Sequence, residues 1–376
     1  MKKRMGIYVH IPFCVKKCDY CDFLSFPLPQ PVDAYLKALA DEMRQFQRTF
    51  AKWEADTVFI GGGTPSLLTD EQMRFLLDEI RSCFRVLPDA EISMEMNPGT
   101  ANADYMRGYR GAGVNRVSVG LQSACDRELA LLGRIHTYAQ FEETYRCLAD
   151  CGFDNINVDI MSALPHQNMD TYAQTLEKVL ALRPQHISSY SLIVEEGTPF
   201  FLRYGEEDCP DLPDEDADRE MYAYTLKSLH NFGYHRYEIS NYALEGRECR
   251  HNLKYWRMEP YLGLGLGSAS YYDGMRLKNT ENLDEYLRGE AADFRECKTL
   301  TRQESMEEFV FLGLRMVKGV SMPEFQRRFD VPMREIYGSV IDKYKGMQLL
   351  HESDGCLCLT ERGFDVSNRV MAEFLL

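Results

Sequence analysis

The chain has 376 residues, 45% hydrophobic and 27% charged, proportions of an ordinary folded protein with room for a large core and a smaller one. No run approaches the roughly 18 consecutive apolar residues of a spanning helix, so a helical membrane protein is not expected. A formal net charge of −15 argues against a partner gripped through its phosphates, which calls for a basic face, and no nucleic acid is expected.

In chain order, two lysines and an arginine precede a short apolar run that superficially looks like a signal peptide. His10 and Pro12 interrupt it and no small-residue cleavage site follows, so the run reads as a first strand, Ile7–Ile11, of a cytoplasmic protein. Further strands are predicted at Thr57–Gly61, Ile92–Met96, Arg116–Gly120, Asn155–Ile160 and His186–Leu192. Amphipathic helices alternate with them at Val32–Gln47, Asp70–Cys83, Ala103–Gly111, Tyr138–Cys151 and Met169–Leu180. This alternation predicts βαβ units and a parallel sheet. Six such units suggest a partial (β/α)6 barrel over residues 1–240, with its polar strand ends at the C-terminal rim where barrels keep their chemistry.

Beyond Glu195 the acidic, proline-containing segment Gly205–Asp218 reads as an exposed loop. A helix at Arg219–Phe232, a strand at Tyr237–Ser240 and a glycine-rich stretch at Gly263, Gly265 and Gly267 follow. Residues 241–301 read as a connecting region. Helical patterns at Ser321–Phe329, Met333–Lys345 and Leu359–Leu376 predict a small, mainly helical, winged-helix-like unit over 302–376.

Twelve unevenly spaced cysteines without a secretion signal point to a reducing compartment and a metal or cluster site rather than to disulfides. Nine have no ligand-like grouping; Cys147 and Cys151, four apart on a predicted helix, read as small half-buried hydrophobes. The other three stand in His10-Ile-Pro-Phe-Cys14-Val-Lys-Lys-Cys18-Asp-Tyr-Cys21, a C-x3-C-x2-C spacing. Three thiolates on one short loop can hold three irons of a [4Fe–4S] cubane and leave the fourth open. S-adenosylmethionine (SAM) can chelate that iron through its amine and carboxylate. A closed ferredoxin-type cluster would need a fourth cysteine nearby, and structural zinc would ordinarily recruit a second ligand pair.

With this motif the chain resembles the radical-SAM superfamily, and within it the family of oxygen-independent coproporphyrinogen oxidases and HemW-type heme chaperones, over nearly its whole length. The resemblance rests on Tyr8-Val-His-Ile-Pro-Phe-Cys14, on Tyr20 before the third cysteine, and on Gly61-Gly62-Gly63-Thr64-Pro65 after the second strand. It implies SAM contacts at Tyr8, Gly62, Gly63, Thr64, Glu95, Gln122, Arg134 and Asp159, the glycines admitting the methionyl end without Cβ obstruction. A second concentration, Cys249-Arg-His251-Asn252-Leu-Lys-Tyr255-Trp256, holds one of two tryptophans. A histidine among aromatics can serve heme or simply fill a core. H-N-x-x-Y-W resembles a heme-chaperone motif, which implies heme contacts at His251, Asn252, Tyr255 and Trp256.

The resemblance further implies heme as cargo, apo-hemoproteins such as respiratory proteins as recipients, an electron donor, a transient contact with a membrane protein and a homodimer. Two departures set the chain apart from the oxidase. Phe23 stands where that enzyme carries a further cysteine, and the segment before Cys14 is short. The expected function is a heme chaperone with a cluster and SAM. Oxidative decarboxylation of coproporphyrinogen III, or another radical-SAM porphyrin reaction such as anaerobic heme opening, is the alternative.

Overall fold

The computed structural model describes residues 3–206, 209–289 and 296–375. The predicted acidic loop at 207–208, the connecting region at 290–295 and the ends of the first and last predicted units (Met1, Lys2 and Leu376) lie outside the described residues.

Six strands carry the first half: β1 (Lys3–Ile11), β2 (Trp53–Gly62), β3 (Arg85–Met96), β4 (Arg116–Gln122), β5 (Ile156–Ser162) and β6 (His186–Ser191). Each is paired in parallel with the next in that order. Their interiors are buried on both faces, as a helix-covered parallel sheet requires. The main crossovers are α1 (Val32–Phe46), α2 (Asp70–Cys83), α3 (Ala103–Ala112), α5 (Tyr138–Asp150) and α6 (Met169–Leu182); the short α4 (Asp126–Leu131) precedes α5. Capping boxes at Thr69/Gln72, Thr137/Gln140 and Asn168/Thr171 start α2, α5 and α6, satisfying N–H groups the helices cannot pair themselves. The partial barrel is as expected.

The segment expected to connect two units is instead part of the sheet. Of two short strands, β7 (His235–Arg236) and β8 (Asn241–Ala243), β8 pairs antiparallel with β6. On the opposite edge β9 (Tyr261–Leu264) pairs in parallel with β1. Three antiparallel strands, β10 (Ala269–Tyr272), β11 (Met275–Lys278) and β12 (Glu296–Thr299), extend that edge to twelve strands in all. These strands are two to four residues long, too short for a periodic pattern in the sequence to reveal.

Local expectations fail in two places. Asp214 caps α8 (Glu215–Asn231), so the last four residues of the predicted acidic loop form a first helical turn whose Glu215, Asp216 and Asp218 face the positive helix end. The strand expected at Tyr237–Ser240 is a turn between β7 and β8, where Glu238 Oε1 accepts from the Ser240 N–H at 3.0 Å and from Asn241 Nδ2. From residue 302 onward helices α10 (Arg302–Leu314), α11 (Met322–Phe329) and α12 (Met333–Gly346) and a three-stranded sheet enclose a second core. The predicted final helix, Leu359–Leu376, is divided into two short helices, Glu361–Asp365 and Ser367–Ala372, that follow a strand, Cys356–Leu359.

Candidate functional site

The cluster-type loop is held from several sides. His10 Nε2 meets the Leu24 carbonyl at 2.8 Å and its Nδ1 meets Tyr8 Oη at 2.9 Å, so the histidine of the opening motif pins the loop's exit rather than facing a ligand. A short helix, α7 (Pro199–Tyr204), grips the loop's middle: the Phe200 N–H donates to the Asp19 carbonyl at 3.0 Å, and Arg203 pairs with the Asp19 carboxylate. The three thiols are free, Cys14 buried and Cys18 and Cys21 half-buried.

The glycine run packs against this loop. A Cβ on Gly62 would fall 2.5 Å from His10, and one on Gly63 2.7 Å from the Phe13 carbonyl. Gly62 also sits at φ +114°, where a side chain is strained. Close approach of two backbones therefore explains these glycines before any ligand is considered.

Below the loop lies a cavity of about 590 Å³, within the range of small-molecule sites. Cys14, Cys18, Cys21, Gly62, Gly63, Thr64, Glu95, Gln122, Arg134 and Asp159 all line it, so the structure brings together residues spread over nearly 150 positions. Tyr8 does not line it; its hydroxyl is spent on His10. Register explains the convergence, since Glu95 lies beside Ser118, and Gly120 beside Asp159, which lies beside Ser188.

Asn97, which the sequence reading passed over, ties the site together. Its Nδ2 donates to Thr64 Oγ1 at 2.9 Å and its Oδ1 accepts from Arg134 Nη2 at 2.7 Å. Thr64 Oγ1 reaches Cys14 Sγ at 3.5 Å, and Arg134 Nη1 reaches Cys18 Sγ at 3.7 Å. A hydrogen-bonded path thus runs from one cysteine to another through two residues just past strand ends, Thr64 and Asn97, and Arg134 in the turn after α4. The only signal for Asn97 was its place two residues beyond Glu95.

Burial raises the Glu95 carboxyl to about 7, although the Gly62 N–H donates to it at 2.9 Å. Burial also raises Asp159, opposed by hydrogen bonds from neighbouring polar groups that include Asn157 Nδ2 at 2.7 Å and Ser118 Oγ at 3.1 Å. Gln122 sits at φ +72° at a register shift and accepts from Tyr190 Oη at 3.0 Å. On the cavity floor Arg116 is 2% exposed and its Nε has no partner.

The second motif forms α9 (Arg250–Trp256), set into the sheet on the Glu91 side chain, which accepts from the Arg250 N–H at 2.9 Å and the His251 N–H at 3.1 Å. His251 is fully buried; Nδ1 meets Thr57 Oγ1 and Nε2 meets Tyr255 Oη, both at 2.8 Å. Burial lowers its pKa to about 3. Trp256 lies under the Arg315 guanidinium, 4.4 Å from the ring centre. Of the four heme contacts expected here, only Asn252 lines the cavity. His251 has no nitrogen free for iron, and Tyr255 and Trp256 offer no face to the cavity, because the motif's rings pack on one another and on Phe59, Tyr261 and Arg315.

The donor set fits a cubane with one open iron, since the cavity wall holds these three cysteines and neither a fourth cysteine nor a histidine. Among the described residues no three His, Cys, Asp or Glu side chains converge on a single-ion site. A cubane does not ask for that, because each thiolate meets a different iron. Carboxylates, amides and the guanidinium groups of Arg116 and Arg134 around the remaining space suit a zwitterionic nucleoside such as SAM.

This fold and site are those of the radical-SAM class: the Radical SAM superfamily model matches residues 8–179 and the HemN C-terminal domain model residues 300–366. "Heme chaperone HemW" of Lactococcus lactis is 35% identical over all of this chain and 98% of its own length. The Escherichia coli protein of that name is 37% identical over 85% of each chain. The chain belongs to the HemW family. The solved coproporphyrinogen III oxidase HemN of Escherichia coli superposes with a TM-score of 0.86, covering 100% of this chain and 90% of that one, at 23% identity. At that identity the likeness carries the fold alone.

Proposed function

We propose that this protein is a heme chaperone that binds heme and passes it to apo-hemoproteins, and that it holds a [4Fe–4S] cluster and SAM. The observation that carries the reading is the full-length relation to proteins named heme chaperone HemW. Cys14, Cys18 and Cys21 would ligate the cluster. Glu95, Gln122, Arg134 and Asp159, with Asn97 joining Thr64 to Arg134, would position SAM. When bound, the pair supplies one-electron chemistry at the cavity. The chain's own contribution is to keep the carboxylates buried, hold the thiols through Thr64 and Arg134, and close the floor with α9. Among the described residues no helix is long and apolar enough to cross a membrane.

The test is anaerobic reconstitution followed by heme titration and transfer to an apo-hemoprotein. A Soret band and transfer are expected, with little decarboxylation of coproporphyrinogen III. Abundant protoporphyrinogen with no heme binding would establish the oxidase instead.

A further inference from the structure

A buried charge is ordinarily paired, because an unpaired one gives up its hydration for nothing. The two guanidinium groups around the cavity differ in this respect. Arg134 is tied down near the cluster-type loop, donating to the Gly120 carbonyl and Asn97 Oδ1 and reaching Cys18 Sγ. Arg116 opens β4, is 2% exposed and lines the cavity, yet its Nε has no partner. Its guanidinium joins no hydrogen bond or ion pair among the described residues. The two carboxylates whose charge it feels, Glu91 and Asp159, are spent on other donors. Glu91 accepts from the Arg250 and His251 N–H groups, and Asp159 from Ser118 Oγ and Asn157 Nδ2. Asn252, the residue of α9 on the cavity wall, leaves its side-chain amide equally unused among the described residues.

We propose that Arg116 anchors a carboxylate subsite on the cavity floor, with Asn252 as a further donor, for a small molecule held together with SAM. The inference rests on the cluster-and-SAM reading of the cavity and adds a ligand to it. On that reading the carboxylate of SAM is spent at the open iron, beside the loop and the ends of the strands. Arg116 stands at the start of its strand, four residues or roughly 13 Å below Gly120, so SAM does not complete it. A planar guanidinium matches a carboxylate through two parallel hydrogen bonds. A single negative charge is also what one guanidinium neutralises. A phosphate would bring more charge close to Glu91 and Asp159, which repel it. A free acid and a carboxylate of heme offer the same chemistry here, and the test separates them.

The experiment titrates propionate, its neutral amide propionamide and inorganic phosphate into the reconstituted parent, Arg116→Met and Arg116→Lys, with and without SAM, by calorimetry. The parent should bind propionate whether or not SAM is present, and propionamide at least tenfold more weakly. Arg116→Met should weaken propionate at least tenfold, and Arg116→Lys should restore part of the loss, keeping the charge without the planar fork. Iron content and SAM binding report that each variant keeps its fold and cluster; should the methionine variant fail to fold, the comparison of acid with amide in the parent decides. Equal binding of acid and amide, or undiminished binding by Arg116→Met, would overturn the proposal. Displacement of propionate by SAM would also overturn it, giving Arg116 to the SAM site, as would tighter binding of phosphate. Displacement by iron protoporphyrin IX but not by its dimethyl ester would assign the subsite to a heme carboxylate, and no displacement by either would assign it to a free acid; both results support it. A parent that takes up neither cluster nor SAM would refute the cluster-and-SAM reading, while its binding of propionate would still decide the subsite.

Discussion

Two motifs of similar richness, Tyr8–Cys21 above the cavity and Cys249–Trp256 beneath it, have opposite fates. In the upper one the three thiols face the cavity, and Lys16 and Lys17 have nothing to bind among the described residues. In the lower one the donors and acceptors of His251 and Tyr255 are consumed within the protein. The difference shows that rarity of residue type does not mark a ligand site. Unspent bonding capacity directed at a cavity does, because a satisfied buried group gains nothing by exchanging partners.

The sharpest way to break the comparison is to remove the upper thiols. Cys14→Ala/Cys18→Ala/Cys21→Ala should fall from about four irons per chain to none, with loss of the broad cubane absorption. Full retention of iron would move the cluster elsewhere.

The lower motif should respond in stability instead. His251→Ala leaves two hydroxyls and a void, at a cost of about 4 kcal/mol in urea unfolding, while the folded variant keeps its heme affinity. An unchanged midpoint with lost heme binding would return His251 to a ligand role.

Glu95 tests the upper site by pH. Burial holds its folded pKa at about 7, above the ordinary carboxyl value of 4.5, so the folded state holds the extra proton. Without SAM, its contribution to stability is full below about 4.5 and is lost as pH rises through 7, by at most about 3 kcal/mol. Because SAM is cationic, its affinity should rise over the same interval. Glu95→Gln should flatten both profiles, measured by unfolding and by equilibrium dialysis; an unaltered slope would show that this carboxyl does not titrate there.

The smallest effect is expected at Trp256, whose indole Nε1 is buried without a partner. Trp256→Phe forfeits part of the stacking with Arg315 and should cost under about 1 kcal/mol, with heme spectra unaltered.

By itself the sequence determined the six parallel strands and their crossover helices, because long strands and helices impose periodicities that survive any tertiary arrangement. It also determined the cluster-type loop, since three cysteines within eight residues must meet on one loop whatever surrounds them. Glu95, Gln122, Arg134 and Asp159 could be nominated from the resemblance, but only strand register, and for Arg134 the turn after α4, brought them to one cavity. Tertiary structure alone decided that the 241–299 segment adds strands to both edges, since short edge strands take their conformation from the neighbour they pair with. It alone brought in Asn97, whose role lies in contacts with residues 33 and 37 positions away. It also put His251 out of reach, because whether an imidazole is free for a ligand depends on the two groups that face its nitrogens, and here one of those, Thr57, lies 194 residues away in the chain.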